Sequence, residues 1–174
     1  MNMKKIIIIP LLLIICILGN ENIKNTPTNK VEGYFKKYQT LNKNVIKNLE
    51  TVIMKDKTMS NKQKNKYEEL IKKQYQNLIY KIKSEQIEKQ TATVESEIEV
   101  LDYKSSLKNS IEKYQNYFKI KNNKYHFIDY KLSELNKVTK KKKYKITFHL
   151  KEKNGLWNIE KLETKDLQKI HGLY

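Results

Sequence analysis

Apolar and polar residues alternate most regularly between Lys142 and Leu162. Tyr144, Ile146, Phe148 and Leu150 interleave with Lys145, Thr147, His149 and Lys151. A strand points successive side chains to opposite faces, so this period predicts one apolar and one wet face. Asn154-Gly155 follows, a pair that accepts the positive φ angles of a tight hairpin turn. The return strand carries Trp157 and Ile159 in phase. Tyr144, Ile146, Phe148, Trp157 and Ile159 are therefore expected on one apolar surface. Two strands alone are marginal, so the rest of the chain must cover it.

Elsewhere the period is mostly helical. Val31, Tyr34, Phe35, Tyr38, Leu41, Val45, Leu49 and Val52 recur at steps of three and four, predicting one helix of about six turns from Lys30. Met54 to Met59 reads as a polar connection. Ser60 and Gln63 fit a capping box, and the helix they open carries Tyr67, Leu70, Ile71, Tyr75 and Leu78 on one face. Tyr80, Ile82 and Ile87 suggest a twisted strand. Thr91 to Tyr103 is a firmer one: Ala92, Val94, Ser96, Ile98 and Val100 face inward, and Thr93, Glu95, Glu97 and Glu99 outward. Lysine-rich strands fit beside this acidic face, since opposite charges across strands attract. Leu107, Ile111, Tyr114 and Phe118 mark another helix, Asn122-Asn123 a break, and Tyr125, Ile128, Leu132 and Leu135 the next helix. Lys140, Lys141, Lys142 and Lys143 read as a solvated loop and as the best anion-contact candidates. Thr164 is placed to cap a last short helix, with Leu167 and Ile170 inward and Gly172 ending it. The expected fold class is α+β: helices packed on a curved antiparallel sheet, ending in a β-hairpin and a short helix.

The amino terminus follows a different logic. Lys4 and Lys5 precede an apolar run from Ile6 to Leu18, broken only by Pro10 and Cys16, and Gly19-Asn20-Glu21 turns polar. That order fits a secretory signal peptide, and the run is short against the about 20 residues of a membrane-spanning helix. The expected organisation is a signal peptide over 1–19, a polar spacer over 20–29 and a single α+β domain over 30–174. Cys16 follows Ile15, where a lipidated cysteine would follow a small residue, so it reads as one more apolar residue of the signal. Lipidation at Cys16 and retention as an uncleaved anchor are the alternatives. Removal of 1–19 would leave a chain without cysteine, ruling out disulfides.

Charge narrows the partners. The 174-residue chain has a formal net charge of +17, and all 36 basic residues are lysine. A basic chain can bind polyanions, but sequence-specific DNA readers rely on arginine for bidentate guanine contacts. Its absence argues against nucleic acid. The expected partners are an anionic cell-envelope polymer or an envelope protein, with membrane contact only through the amino-terminal segment.

Candidate chemistry is sparse. The glutamates of the long strand lie about 7 Å apart along it, too dispersed for a calcium cage. No histidine spacing supports zinc, and four glycines include no phosphate loop. No metal, cofactor or catalytic residue is assigned. His126 and Asp129 share a helix face as a surface pair. His149 falls on the wet face, and His171 sits at a helix end where a cation suits the dipole. Asp102 is in phase with Ile98 and Val100; pointed inward beside apolar walls, it would have a raised pKa and could act as a base.

Val31-Glu-Gly-Tyr34-Phe35, Ala92-Thr-Val94 with Ile98-Glu-Val100-Leu-Asp-Tyr103, Tyr144-Lys-Ile146-Thr-Phe148, Gly155-Leu-Trp157-Asn-Ile159 and the ending Lys169-Ile-His-Gly-Leu-Tyr174 together resemble small secreted or lipoprotein-type bacterial proteins with a nuclear transport factor two-like, or cystatin-like, fold. The resemblance implies a sheet curled into a cone around a helix, with an apolar pocket. Tyr34, Tyr38, Val100, Asp102, Tyr144, Ile146, Phe148, Trp157 and Ile159 are the pocket or core-lining candidates. The chain departs from the pattern by a helical pair between Lys104 and Val138, placed to fill or lid the mouth. The expected function is a non-enzymatic exported binding module for a ligand, protein partner or envelope polymer. The alternatives are an isomerase- or dehydratase-like enzyme using Asp102, and a structural domain of an envelope assembly.

Overall fold

A computed structural model describes residues 25–117 and 124–174. The signal segment with Cys16, most of the spacer, Phe118, Asn122-Asn123, and the side chains of Ile111, Tyr125 and His126 lie outside the described residues.

The fold is α+β. Helices α1 (Pro27–Gln39), α2 (Lys43–Met54) and α3 (Asn61–Gln76) precede strands β1 (Ile79–Glu88) and β2 (Thr91–Leu101). Helices α4 (Tyr103–Tyr117) and α5 (Lys124–Asn136) follow, then β3 (Lys141–Lys153), β4 (Leu156–Ile159) and α6 (Thr164–Ile170). The four strands form one antiparallel sheet in the order β1-β2-β3-β4.

The sheet separates its faces as the alternation requires. Ala92, Val94, Ile98 and Val100 of β2 and Ile146, Phe148 and Leu150 of β3 are buried. They meet Val31 and Phe35 of α1 and Leu70, Ile71 and Tyr75 of α3 in one core, which Leu132 and Leu135 of α5 join. The only buried polar residue in the middle of β2, Ser96, donates to the Ile146 carbonyl at 3.1 Å. Asn154 and Gly155 have φ of 54° and 73°, the conformation of a tight two-residue hairpin turn. On the wet face Lys141 reaches Glu99 at 3.6 Å, and Lys143 reaches Glu97 at 3.6 Å and Glu99 at 3.9 Å. Exposed pairs of this kind contribute about 0–1 kcal/mol each.

The predicted six-turn helix is two helices. Leu41 takes φ of 52°, and the Asn42 amide reaches back to the Lys37 carbonyl, closing α1. The side chain of Asn42 then accepts from the Asn44 amide and starts α2. A left-handed residue at a helix end is usually glycine; leucine gives no such signal, so the apolar stripe read straight through. The stripe also shifts after the break. Leu49 and Ile53 are buried, whereas Val52 is 69% exposed.

Three further expectations change. α1 begins at Pro27, inside the predicted spacer, with Thr26 accepting from the Asn29 amide. Asn25 before it ties the chain to the β3–β4 turn, donating to the Gly155 carbonyl and accepting from the Trp157 amide. Lys141, Lys142 and Lys143 belong to β3 rather than a loop. Glu163, not Thr164, is the N-cap of α6, and it makes no side-chain cap bond. The capping box at Ser60–Gln63 forms. A register shift between Ile82 and Ser84 brings Glu85 opposite Val94, where its carboxylate accepts from the Thr28 amide at 2.7 Å. A negative charge at the first turn of α1 complements the helix dipole.

Candidate ligand cleft

The break at Leu41 and Asn42 turns the chain between α1 and α2, and a cleft of about 840 Å³ lies beside it. Its walls come from four places: Tyr34 and Tyr38 of α1; Val45, Leu49 and Ile53 of α2; Tyr67, Ile71 and Tyr75 of α3; and Trp157 to Leu162 with Leu167, His171 and Leu173 at the carboxyl end. Lys30, Lys37, Asn42, Asn44, Asn48 and Val52 complete the lining. Apolar side chains with a few convergent polar groups are the usual make-up of a small-molecule site.

The polar groups form a line. Tyr34 and Tyr38 are one helical turn apart, and their hydroxyls hydrogen-bond at 3.1 Å. Tyr38 packs edge-on against Tyr75 with ring centroids 4.9 Å apart. The Tyr75 hydroxyl lies 3.2 Å from His171 Nδ1. Burial pushes the phenols of Tyr34, Tyr38, Tyr67 and Tyr75 above their ordinary value, so all four are neutral donors and acceptors at neutral pH. Burial also holds the His171 imidazole down at about 4. The sequence placed His171 as a cation at a helix end; its ring instead sits neutral against Tyr75.

His171 is held there by packing behind the cleft. Gln74 is fully buried. Its Oε1 accepts from the Leu101 amide at 2.9 Å, and its Nε2 donates to the Ile170 carbonyl at 3.4 Å. One side chain thus joins α3 to the ends of β2 and α6. Gly172 follows at φ of 71°, and its carbonyl accepts from the Lys104 amide.

The candidates divide accordingly. Tyr34, Tyr38, Trp157 and Ile159 line the cleft. Val100, Ile146 and Phe148 are buried in the core beneath the helices. Tyr144 lies elsewhere on the sheet, its hydroxyl donating to the Tyr174 main-chain oxygen at 2.5 Å. Asp102 is buried, but not in the cleft: its Oδ1 accepts from the Ser105 amide at 3.1 Å, capping α4, and it borders a separate hollow of about 320 Å³ beside Lys137 and Lys140. A carboxylate at that position satisfies a free helix N–H. Among the described residues the α4–α5 pair contributes none to the cleft, and it packs through α5 on α3. Of the lysine run, Lys141 and Lys143 face glutamates, and Lys142 stands 5.1 Å over the Tyr144 ring. His149 is exposed. Tyr67, Tyr75 and His171, with the α2 wall of Val45, Leu49 and Ile53 and the lysines Lys30, Lys37 and Lys161, are among the cleft residues that no site assignment from the sequence contained. The tyrosines recurring on both stripes, Tyr34 and Tyr38 on one and Tyr67 and Tyr75 on the other, were the available signal.

The state of His171 sets a pH dependence. Its folded pKa lies below the unfolded value of 6.5, so the unfolded chain takes up the proton first as pH falls. The stability is present in full above pH 6.5 and is lost as pH drops through that value towards 4. By pH 4.5 the loss should reach about 2–3 kcal/mol. His171→Asn retains a polar partner for Tyr75 and does not titrate. Urea unfolding at pH 7.5 and 4.5 should show wild type losing that much more than the variant; equal losses would mean that the fold does not hold the His171 ring neutral.

Among the described residues, no three or more His, Cys, Asp or Glu side chains gather as a metal-ligand set, and no helix is long and apolar enough to cross a membrane. Comparison of the chain with protein-family models, with curated proteins and with solved structures returns no match.

Proposed function

We propose that this protein is an exported, non-enzymatic binding module, of the nuclear transport factor two-like class, that holds a ligand in the cleft between α1, α2, α3 and β4. The observation that carries it is the cleft itself: an apolar floor crossed by a line of neutral hydrogen-bonding groups, Tyr34, Tyr38, Tyr75 and His171. Helices preceding a four-stranded antiparallel sheet support the class, and the charged start and apolar run over 1–19 support export. Binding is preferred to catalysis because Asp102, the base of the enzyme alternative, caps α4 outside the cleft. The cleft is preferred to the lysine run because Lys141 and Lys143 already face carboxylates.

Native mass spectrometry of the protein purified from the medium and envelope of its own cells tests this. The expected result is a chain beginning at Asn20 with an added mass that is lost on activation. Val45 is half-buried in the cleft wall, so Val45→Trp should fill the space and remove the added mass while the protein stays folded. A clean, unliganded wild-type mass would count against the cleft, and a chain starting at Met1 against cleavage.

A further inference from the structure

The cleft has a charge as well as a shape. Lys30, Lys37 and Lys161 stand exposed at its edge, and among the described residues none of them forms an ion pair. Among the described residues Glu160 is the one carboxylate of the lining, and Lys151, which is outside the cleft, takes it at 2.8 Å. Three cations outside any ion pair among the described residues therefore surround an apolar floor built by Val45, Leu49, Ile53 and Ile71. The lysines sit on two different walls, Lys30 and Lys37 on α1 and Lys161 just beyond β4. An anionic group between the walls would meet positive charge from both sides, while an attached hydrocarbon chain would meet the apolar floor. Asn42, Asn44 and Asn48 add amide groups at the same mouth, and amides hydrogen-bond carboxylate or phosphate oxygens without adding charge. A volume of about 840 Å³ falls in the range, about 300–1,000 Å³, of sites that enclose small organic ligands.

Resting on the binding reading above, we infer that the ligand is a single-chain amphiphile with an anionic head, its hydrocarbon on the floor of the cleft and its head between Lys30, Lys37 and Lys161. A neutral or cationic amphiphile leaves the lysines unanswered. A small inorganic anion leaves the floor wet. The chemistry recognised is the combination, whether the head is a carboxylate or a phosphate.

Trp157 makes the test direct, because it is the single tryptophan of the chain and lines the cleft. Its emission is followed while the purified protein is titrated with dodecanoate, dodecyl phosphate, dodecanol and dodecylammonium. The two anions should bind saturably and about tenfold more tightly than dodecanol, with dodecylammonium weakest, and the advantage should shrink at high salt. Combining Lys30→Gln, Lys37→Gln and Lys161→Gln, all at exposed positions, should close most of the gap between dodecanoate and dodecanol. If dodecanol binds as tightly as dodecanoate, the inference about the head falls and the cleft remains a binding site. If no probe alters the emission, the cleft reading falls with it. Vesicles of phosphatidylglycerol separate a free amphiphile from a bilayer. Co-sedimentation with them, without any response of Trp157 to dodecanoate, would assign the lysines to a membrane surface and overturn the proposal.

Discussion

Replacing Phe35 with alanine should cost about 3–5 kcal/mol of folding free energy, read as a lower urea midpoint at an unchanged slope. Phe35 is fully buried where α1 meets the sheet. Its ring stacks on Tyr80 at 4.8 Å, and Phe148 stands edge-on to it at 5.3 Å. Tyr34 approaches edge-on at 6.0 Å. The variant loses the transfer free energy of the ring and leaves a cavity between elements that cannot close on one another without moving a helix. Each lost aromatic pair adds about 0.5–1.5 kcal/mol. Against a usual domain stability of about 5–15 kcal/mol, that is a large fraction. Phe35→Leu, which fills most of the volume, should cost less than half as much. A loss below about 1 kcal/mol for the alanine variant would mean that α1 does not seat on the sheet as described, since a buried ring at such a contact cannot be removed so cheaply. The cleft should respond too. Tyr34 is the preceding residue and packs on Phe148 at 5.4 Å, so loosening α1 loosens one wall.

The parts of this fold that could be read from the sequence are those whose signal is local. Alternation over Tyr144 to Leu150 and over Ala92 to Val100 named both central strands and their buried faces, because a strand's period of two admits only one such division. Asn154-Gly155 and Ser60–Gln63 were legible because their side chains or lack of them do the work within four residues. The turn at Lys89-Gln90 has no such mark: Lys89 takes φ of 54°, and it is the pairing of β1 with β2 that holds it. Leu41 is the same case, and there the consequence is larger, because the cleft stands at that break. Asp102 was in phase with the buried positions, and it is buried. What phase could not say was that a helix begins at the next residue and uses the carboxylate as its cap. Gln74 gave no signal at all. A glutamine on a lysine-rich helix reads as solvent-facing, and only the arrival of Leu101 from one side and Ile170 from the other gives its amide two partners inside the core. At the same junction His171 is half-buried against Tyr75, which changes it from the expected cation to a neutral hydrogen-bonding group.

Gly172→Ala should be the most damaging of the alanine substitutions at the described glycines, at upwards of about 3 kcal/mol. Two costs add. The first is conformational: φ of 71° puts any residue with a Cβ in the left-handed region, at about 1–2 kcal/mol. The second is contact: the new methyl carbon would lie 2.3 Å from the Leu101 carbonyl oxygen and 2.7 Å from Gln74 Nε2. The Leu101 oxygen belongs to a strand end and cannot turn away, and moving Gln74 breaks the bonds that join α3, β2 and α6. An unsatisfied buried group of this kind costs about 1–3 kcal/mol. Gly155 separates the two terms. It shares the left-handed conformation, at φ of 73°, but a methyl there meets nothing within 4 Å. Gly155→Ala should therefore cost only the conformational part, and the excess at Gly172 measures the contact. The two variants should also part at the cleft. Displacing the end of α6 pulls His171 from Tyr75, so Gly172→Ala should flatten the fall in stability between pH 6.5 and 4, while Gly155→Ala should leave it as in wild type. If the two alanines cost the same, the end of α6 is not seated against Gln74 and Leu101, and the wall of the cleft that carries His171 must be redrawn.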